Sequence, residues 1–235
     1  YFTEKMGLEI IDMKKKFGNQ IALNSVNIKI DWNEIIGLLG PNGAGKSTLM
    51  KSIVGAQLFD AGEILLDGQT INENPISAKG KMGFLPEDNP LYTEMYVKEY
   101  LYFVAELQKI SREKVEKVIE TVGLSPEKSK KISQLSKGYK QRVGIAQAIL
   151  HEPDYLILDE PTNGLDPNQI VEIRNLIRQI GEKKTVLLST HLMQEVEALC
   201  SRVILITKGS IIHDLNVEDF LGKFNSLEEA FQNAT

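Results

Sequence analysis

The sequence predicts an α/β fold: a mostly parallel sheet carrying helices on both faces, joined to an antiparallel β subdomain and a helical subdomain. Three observations carry that prediction. Strand-like and helix-like segments alternate from residue 154 to 207. EIIGLL (34–39) is a continuous apolar run, as suits a strand buried on both faces. The first third, by contrast, alternates apolar and polar residues, the pattern of a half-buried sheet.

Taken in order, LEIIDM (8–13) and IALNSVNIKI (21–30) are the alternating strands. GEILLDGQTI (62–71) sets Asp67-Gly68 between two short apolar runs, the strongest short hairpin signal. The pattern turns helical between about 94 and 151, where MYVKEYLYFVAELQ (95–108) and REKVEKVIETVG (112–123) carry apolar residues at three- and four-residue spacing. DYLILDE (154–160), TVLLST (185–190) and RVILIT (202–207) read as strands, with helices near 168–180 and 192–200 between them. The tail SLEEAFQNAT reads as a short amphipathic helix over 226–234. No internal repeat or low-complexity linker interrupts this order. Residues 1–235 therefore read as one domain, with a helical subdomain at about 88–150.

The chain is 42% hydrophobic and 25% charged, the balance of an ordinary globular protein. Its net charge of −5 argues against a nucleic-acid partner. The basic runs Lys14–Lys16 and Lys128–Lys131 are expected to be solvated faces. The single cysteine, Cys200, excludes an internal disulfide and reads as a small buried hydrophobe in LMQEVEALC. No apolar run reaches the roughly 18–20 residues a membrane span requires, and no signal-like segment opens the chain, so a cytoplasmic location is expected.

GPNGAGKST (40–48) follows the apolar run and opens a helical segment, matching Gly-x-x-x-x-Gly-Lys-Ser/Thr in its required context. Gly40, Gly43 and Gly45 permit left-handed or closely approaching backbone. Together with Pro41, Asn42, Ala44 and Thr48 they form a loop whose N–H groups can wrap phosphate oxygens at a helix N-terminus. Lys46 supplies a full charge to the β- and γ-phosphates, and Ser47 offers a hydroxyl to Mg²⁺.

LILDEP (156–161) is a strand ending in two carboxylates, at the sheet edge where such folds bind ligands. Asp159 suits Mg²⁺, and Glu160 suits acceptance of a proton from an attacking water. STH (189–191) ends the next strand and brings His191 within reach of a γ-phosphate. Asp166 before Pro167 is a helix cap, a sufficient role that leaves room for a subunit contact.

The order GPNGAGKST, LSKGYKQRV, LILDEPTNGLDP, STH resembles the ATP-binding cassette family over nearly the whole chain. Many nucleotide-binding families share the first motif; the LSKGYKQ type (135–141) is specific to this one. The resemblance implies a P-loop NTPase core that binds ATP with Mg²⁺ and hydrolyses it. It further implies a head-to-tail homodimer in which Ser136 and Gly138 complete a neighbour's nucleotide site; Asp166 is counted with them among the nucleotide-binding candidates. It places Phe17 against the adenine ring.

Two departures stand out. Glu87, in FLPEDNPLY, occupies the position where the family carries a metal-binding Gln, adding charge and losing the amide donor. Lys137 and Tyr139 replace the commoner Gly and Gln of the signature. The segments LPEDNPLY and MYVKEYL are similar to those of bacterial exporter-branch subunits, including gliding-motility-associated ones. The resemblance thus implies an ATPase peripheral to the inner face of the cell membrane, driving a separate membrane-spanning permease through the region 88–150. Two other readings are a non-transport cassette ATPase of chromosome or translation function, and a nucleotide-binding regulatory module without turnover.

Overall fold

The computed structural model describes residues 7–224 and Glu229. The expected tail helix over 226–234 otherwise lies outside the described residues. In chain order the elements begin with β1 (Leu8–Phe17), β2 (Gln20–Ile30), β3 (Ile35–Leu39), α1 (Lys46–Ile53), β4 (Ala61–Leu66), β5 (Gln69–Thr70), α2 (Pro75–Gly80) and β6 (Met82–Leu85). Next come α3 (Val97–Leu107), α4 (Arg112–Thr121) and α5 (Lys137–Ile149). The chain continues with β7 (Tyr155–Leu158), α6 (Pro167–Gly181), β8 (Thr185–Thr190), α7 (Met193–Leu199), β9 (Arg202–Thr207), β10 (Ser210–Asn216) and α8 (Val217–Lys223).

Two sheets result. The antiparallel one runs β2-β1-β4-β5, and its last hairpin turns on Asp67 and Gly68, at φ 52° and 77°. Two consecutive positive φ values are what a two-residue hairpin turn demands. The larger sheet runs β10-β9-β3-β8-β7-β6 and is parallel except for the edge pair β10–β9. Every residue of the central strands β7 and β8 is buried, which explains the apolar run YLIL of β7 and the VLL at the centre of β8.

The alternation read in β1 is broken at Asp12, where φ is 47° and the pairing with β2 shifts between Ile10 and Met13. This bulge exposes Ile11 and turns Met13 fully inward. Lys15, two residues on, follows Met13 into the interior at 9% exposure, its Nζ 2.9 Å from Asp60 Oδ1. The expectation that the whole run Lys14–Lys16 is solvated is therefore wrong at Lys15. Lys128, Lys130 and Lys131 do lie at the surface, paired with Glu116, Glu127 and Glu94. Cys200 packs between two apolar clusters, and burial pushes its thiol pKa up to about 12, as expected for an inert cysteine.

The helices α3, α4 and α5 bury Leu101, Ile119 and Val143 against one another and continue into the core beneath β7 and β8. Helix α2 was not read from the sequence. Its signal is Asn74-Pro75, with the Asn74 side chain accepting from the Ser77 N–H at 3.2 Å and proline in the first turn. This architecture aligns the C-terminal ends of β3, β7 and β8 along one edge, where the motif residues gather.

Candidate active site

The loop 40–48 leaves β3 and enters α1 with its glycines in conformations other residues resist. Gly43 and Gly45 have φ 78° and 108°. A Cβ on Gly45 would lie 2.5 Å from the carbonyl oxygen of Ala22, and one on Gly40 2.5 Å from that of Ile206. Close approach, as well as positive φ, therefore requires glycine at these positions. The loop walls a cavity of about 320 Å³ whose lining includes Phe17, Pro41, Asn42, Gly43, Ala44, Lys46, Ser47, Thr48, Glu87 and Glu160. Gln20 and Ala22 also line it, brought there by the tight β1–β2 turn; no sequence signal pointed to them.

Lys46 is 6% exposed, and its ammonium donates to the carbonyl oxygens of Gly40 at 2.7 Å and Pro41 at 3.2 Å. The same Nζ lies 3.5 Å from Glu160 Oε1, while the other oxygen of Glu160 meets His191 Nδ1 at 2.9 Å. The loop 40–48, its lysine, a strand-end carboxylate and a histidine thus form one continuous polar chain across segments distant in sequence.

Asp159 is fully buried. Its Oδ1 accepts from the Ser189 hydroxyl at 2.6 Å, and Ser189 Oγ in turn accepts from the Glu160 N–H at 2.9 Å. Asp159 Oδ2 is buried and has no hydrogen-bond partner among the described residues. A carboxylate oxygen in that position needs a cation or an ordered water, so the residues fit a divalent metal held directly or through water. Ser189 lies within the STH motif but only His191 was assigned a role there. Glu160 has φ 48°, a left-handed conformation costing about 1–3 kcal/mol for a non-glycine residue. Its N–H bond to Ser189 helps hold that conformation.

Glu87 reaches the cavity and accepts from Asn163 Nδ2 at 3.1 Å. Asp166 caps α6, accepting from the Gln169 N–H at 3.0 Å, as the Asp-Pro sequence predicted. Ser136 caps α5 by accepting from the Tyr139 N–H at 3.4 Å. Gly138, buried in the first turn of α5, packs under the Gln169 side chain. Ser136, Gly138 and Asp166 do not line the cavity of their own chain.

A family model described as ABC transporter matches residues 23–163, more than half of the chain. Over 227 residues the chain is 36% identical to the lantibiotic transport ATP-binding protein SrtF of Streptococcus pyogenes, covering 96% of each. It is also 36% identical over 210 residues to the linearmycin resistance ATP-binding protein LnrL of Bacillus subtilis, covering 87% of this chain and 68% of that protein. Among solved structures, the dimeric MJ0796, a bacterial ABC transporter cassette, superimposes with TM-score 0.80 at 25% identity, covering 89% of this chain and 98% of that one. With a motif-bearing cavity and matching relatives along almost its whole length, the chain belongs to the ABC transporter family, among its ATP-binding proteins.

Proposed function

We propose that this chain hydrolyses ATP to ADP and phosphate in a head-to-tail homodimer and drives export through a separate membrane-spanning permease. The observation that carries this reading is the contact chain Lys46–Glu160–His191, whose first two members line a glycine-walled cavity. No described helix is long and apolar enough to cross a membrane. The permease partner is supported by the likeness to a transport ATP-binding protein, SrtF, with this chain seated at the membrane's inner face and the region 88–150 as docking surface.

In this reading the N–H groups of 42–48 and the Lys46 ammonium cradle the β- and γ-phosphates. Phe17, half-exposed at the cavity mouth, stacks on adenine. Mg²⁺, when bound, neutralises charge on the phosphate oxygens. Ser47, Asp159 and Glu87 would hold it. Glu160 accepts the proton of the attacking water, and His191 fixes the orientation of that carboxylate and reaches the γ-phosphate. Ser136, Gly138 and the N-terminus of α5 offer an anion site without use in their own chain, and Asp166 lies on the same contact face. A two-fold pairing with a second copy supplies the anion.

Export rather than import is supported by the similarity to a resistance protein, LnrL. Phosphate release from MgATP tests the enzymatic part, and Glu160→Gln should reduce it by about 10²-fold or more. Because that variant keeps the binding groups, it should elute as a dimer with MgATP and as a monomer without. Wild-type turnover in Glu160→Gln would remove Glu160 from its assigned role.

A further inference from the structure

We infer that Glu195 is a positioning residue for ATP hydrolysis, holding the turn that carries Glu160 against the helix that follows His191; this rests on the roles assigned to those two residues above. Glu195 sits in the first turn of α7, four positions after His191, yet it is only 1% exposed. Its carboxylate accepts a hydrogen bond from the Thr162 hydroxyl, and Thr162 lies two positions after Glu160. Arg174 Nη2, on α6, approaches the same oxygen at 4.0 Å. One buried carboxylate therefore ties together the turn 160–166, the helix that turn feeds, and the segment carrying His191.

Burying a carboxylate is expensive, and an apolar residue of similar size in that place is commonly neutral or stabilising. Retention of the charged group is explained by what it fixes. Glu160 has a backbone conformation a free chain rarely adopts, φ 48°, and persists in it only if both flanks are held. On one side the holding group is Ser189, through the Glu160 N–H. On the other, the turn closes through Asn163 N–H to Glu160 O at 3.1 Å and Leu165 N–H to Thr162 O at 3.2 Å, and the Thr162 hydroxyl anchors this turn to α7. Releasing that anchor lets the turn move relative to His191, with which Glu160 must keep a 2.9 Å contact. Neither Thr162 nor Glu195 lines the cavity, so ATP binding should not depend on them.

The test is steady-state ATP hydrolysis by the full chain, with wild type, Glu160→Gln, Thr162→Val, Thr162→Ser, Glu195→Ala and the double variant Thr162→Val/Glu195→Ala. Displacement of a catalytic group by about 1 Å is worth about 10²-fold in rate, so Thr162→Val and Glu195→Ala should each lower kcat by about 10- to 100-fold. KM for ATP should stay within about twofold, since no cavity contact is removed. Thr162→Ser, which keeps the hydroxyl, should restore most of the rate. The double variant should be no slower than Glu195→Ala, because both changes break one contact. Thr162→Val at the wild-type kcat overturns the inference. So does a joint loss of kcat, ATP affinity and Tm that Thr162→Ser fails to repair, which would mark a role in folding alone. An unaffected Glu160→Gln would instead overturn the reading of the active site itself, a separate outcome.

Discussion

His191 Nδ1 and Glu160 Oε2 lie 2.9 Å apart, although their positions end two different strands, β8 and β7. Parallel pairing of those strands, with Leu158 opposite Leu188, brings the two chain ends side by side. Lys46 holds the other carboxylate oxygen at 3.5 Å, so Glu160 is gripped from both sides in a site where its own side chain is 8% exposed. Replacing His191 with Ala should therefore leave ATP binding largely intact and lower kcat by about 10²-fold, the lower end for loss of an acid–base partner. A single-turnover measurement at saturating MgATP checks this. An unchanged rate would make the histidine a structural cap only.

Ser136→Arg places a long cation at the N-terminus of α5, where an anion is otherwise favoured and where the small hydroxyl caps the helix. Because Ser136 does not line its own chain's cavity, ATP should still bind the monomer. In the Glu160→Gln background the added arginine should abolish the ATP-dependent shift to a dimer in size-exclusion chromatography. Persistence of the shift would mean that this helix end is not part of the shared site.

Phe17 is 48% exposed at the cavity mouth, with Lys15 Nζ 5.2 Å from its ring centroid. Stacking of a base on an aromatic ring is worth about 1–3 kcal/mol by alanine substitution, so Phe17→Ala should weaken ATP binding by about 10-fold. Phe17→Trp should keep it. Isothermal titration with MgATP reads both. Equal affinity in Phe17→Ala would make this ring a core-edge aromatic with no role in recognition.

His151 offers a pH-dependent prediction. Burial holds its pKa below the ordinary histidine value, and Lys184 adds to that; the hydrogen bond to the Met82 carbonyl, at 3.0 Å, acts in the opposite direction. Since the folded pKa is depressed, the unfolded chain takes up the proton first. The stabilisation is whole above the unfolded pKa of about 6.5 and is lost as pH falls through that value toward the folded pKa. Thermal unfolding between about pH 8 and pH 5.5 should thus show a fall in Tm that is smaller in His151→Gln, whose amide can still donate to the Met82 carbonyl. Parallel curves for the two proteins would remove His151 from the acid response.

Much of this protein could be read without coordinates, and the reason is local. A glycine-rich loop, a capping Asp-Pro, an Asp-Gly hairpin and a strand ending in two carboxylates are each written in fewer than ten consecutive residues, because their geometry is set largely by the backbone conformations of those residues. The sequence by itself therefore determined the α/β class, the loop 40–48, the turn at Asp67-Gly68, and Glu160 and His191 as separate candidates whose contact it did not show. Tertiary structure alone decided which groups meet. Ser189 bridges the Asp159 carboxylate and the Glu160 N–H from 30 and 29 positions away in sequence, the buried Glu195 reaches Thr162 across 33, and Gln20 and Ala22 reach the cavity through a neighbouring sheet. It also turned Lys15 inward, because one bulge at Asp12 changes which face the following residues occupy. Residue spacing encodes periodicity along one element, whereas these contacts depend on register between elements, and register is fixed only when the whole core packs.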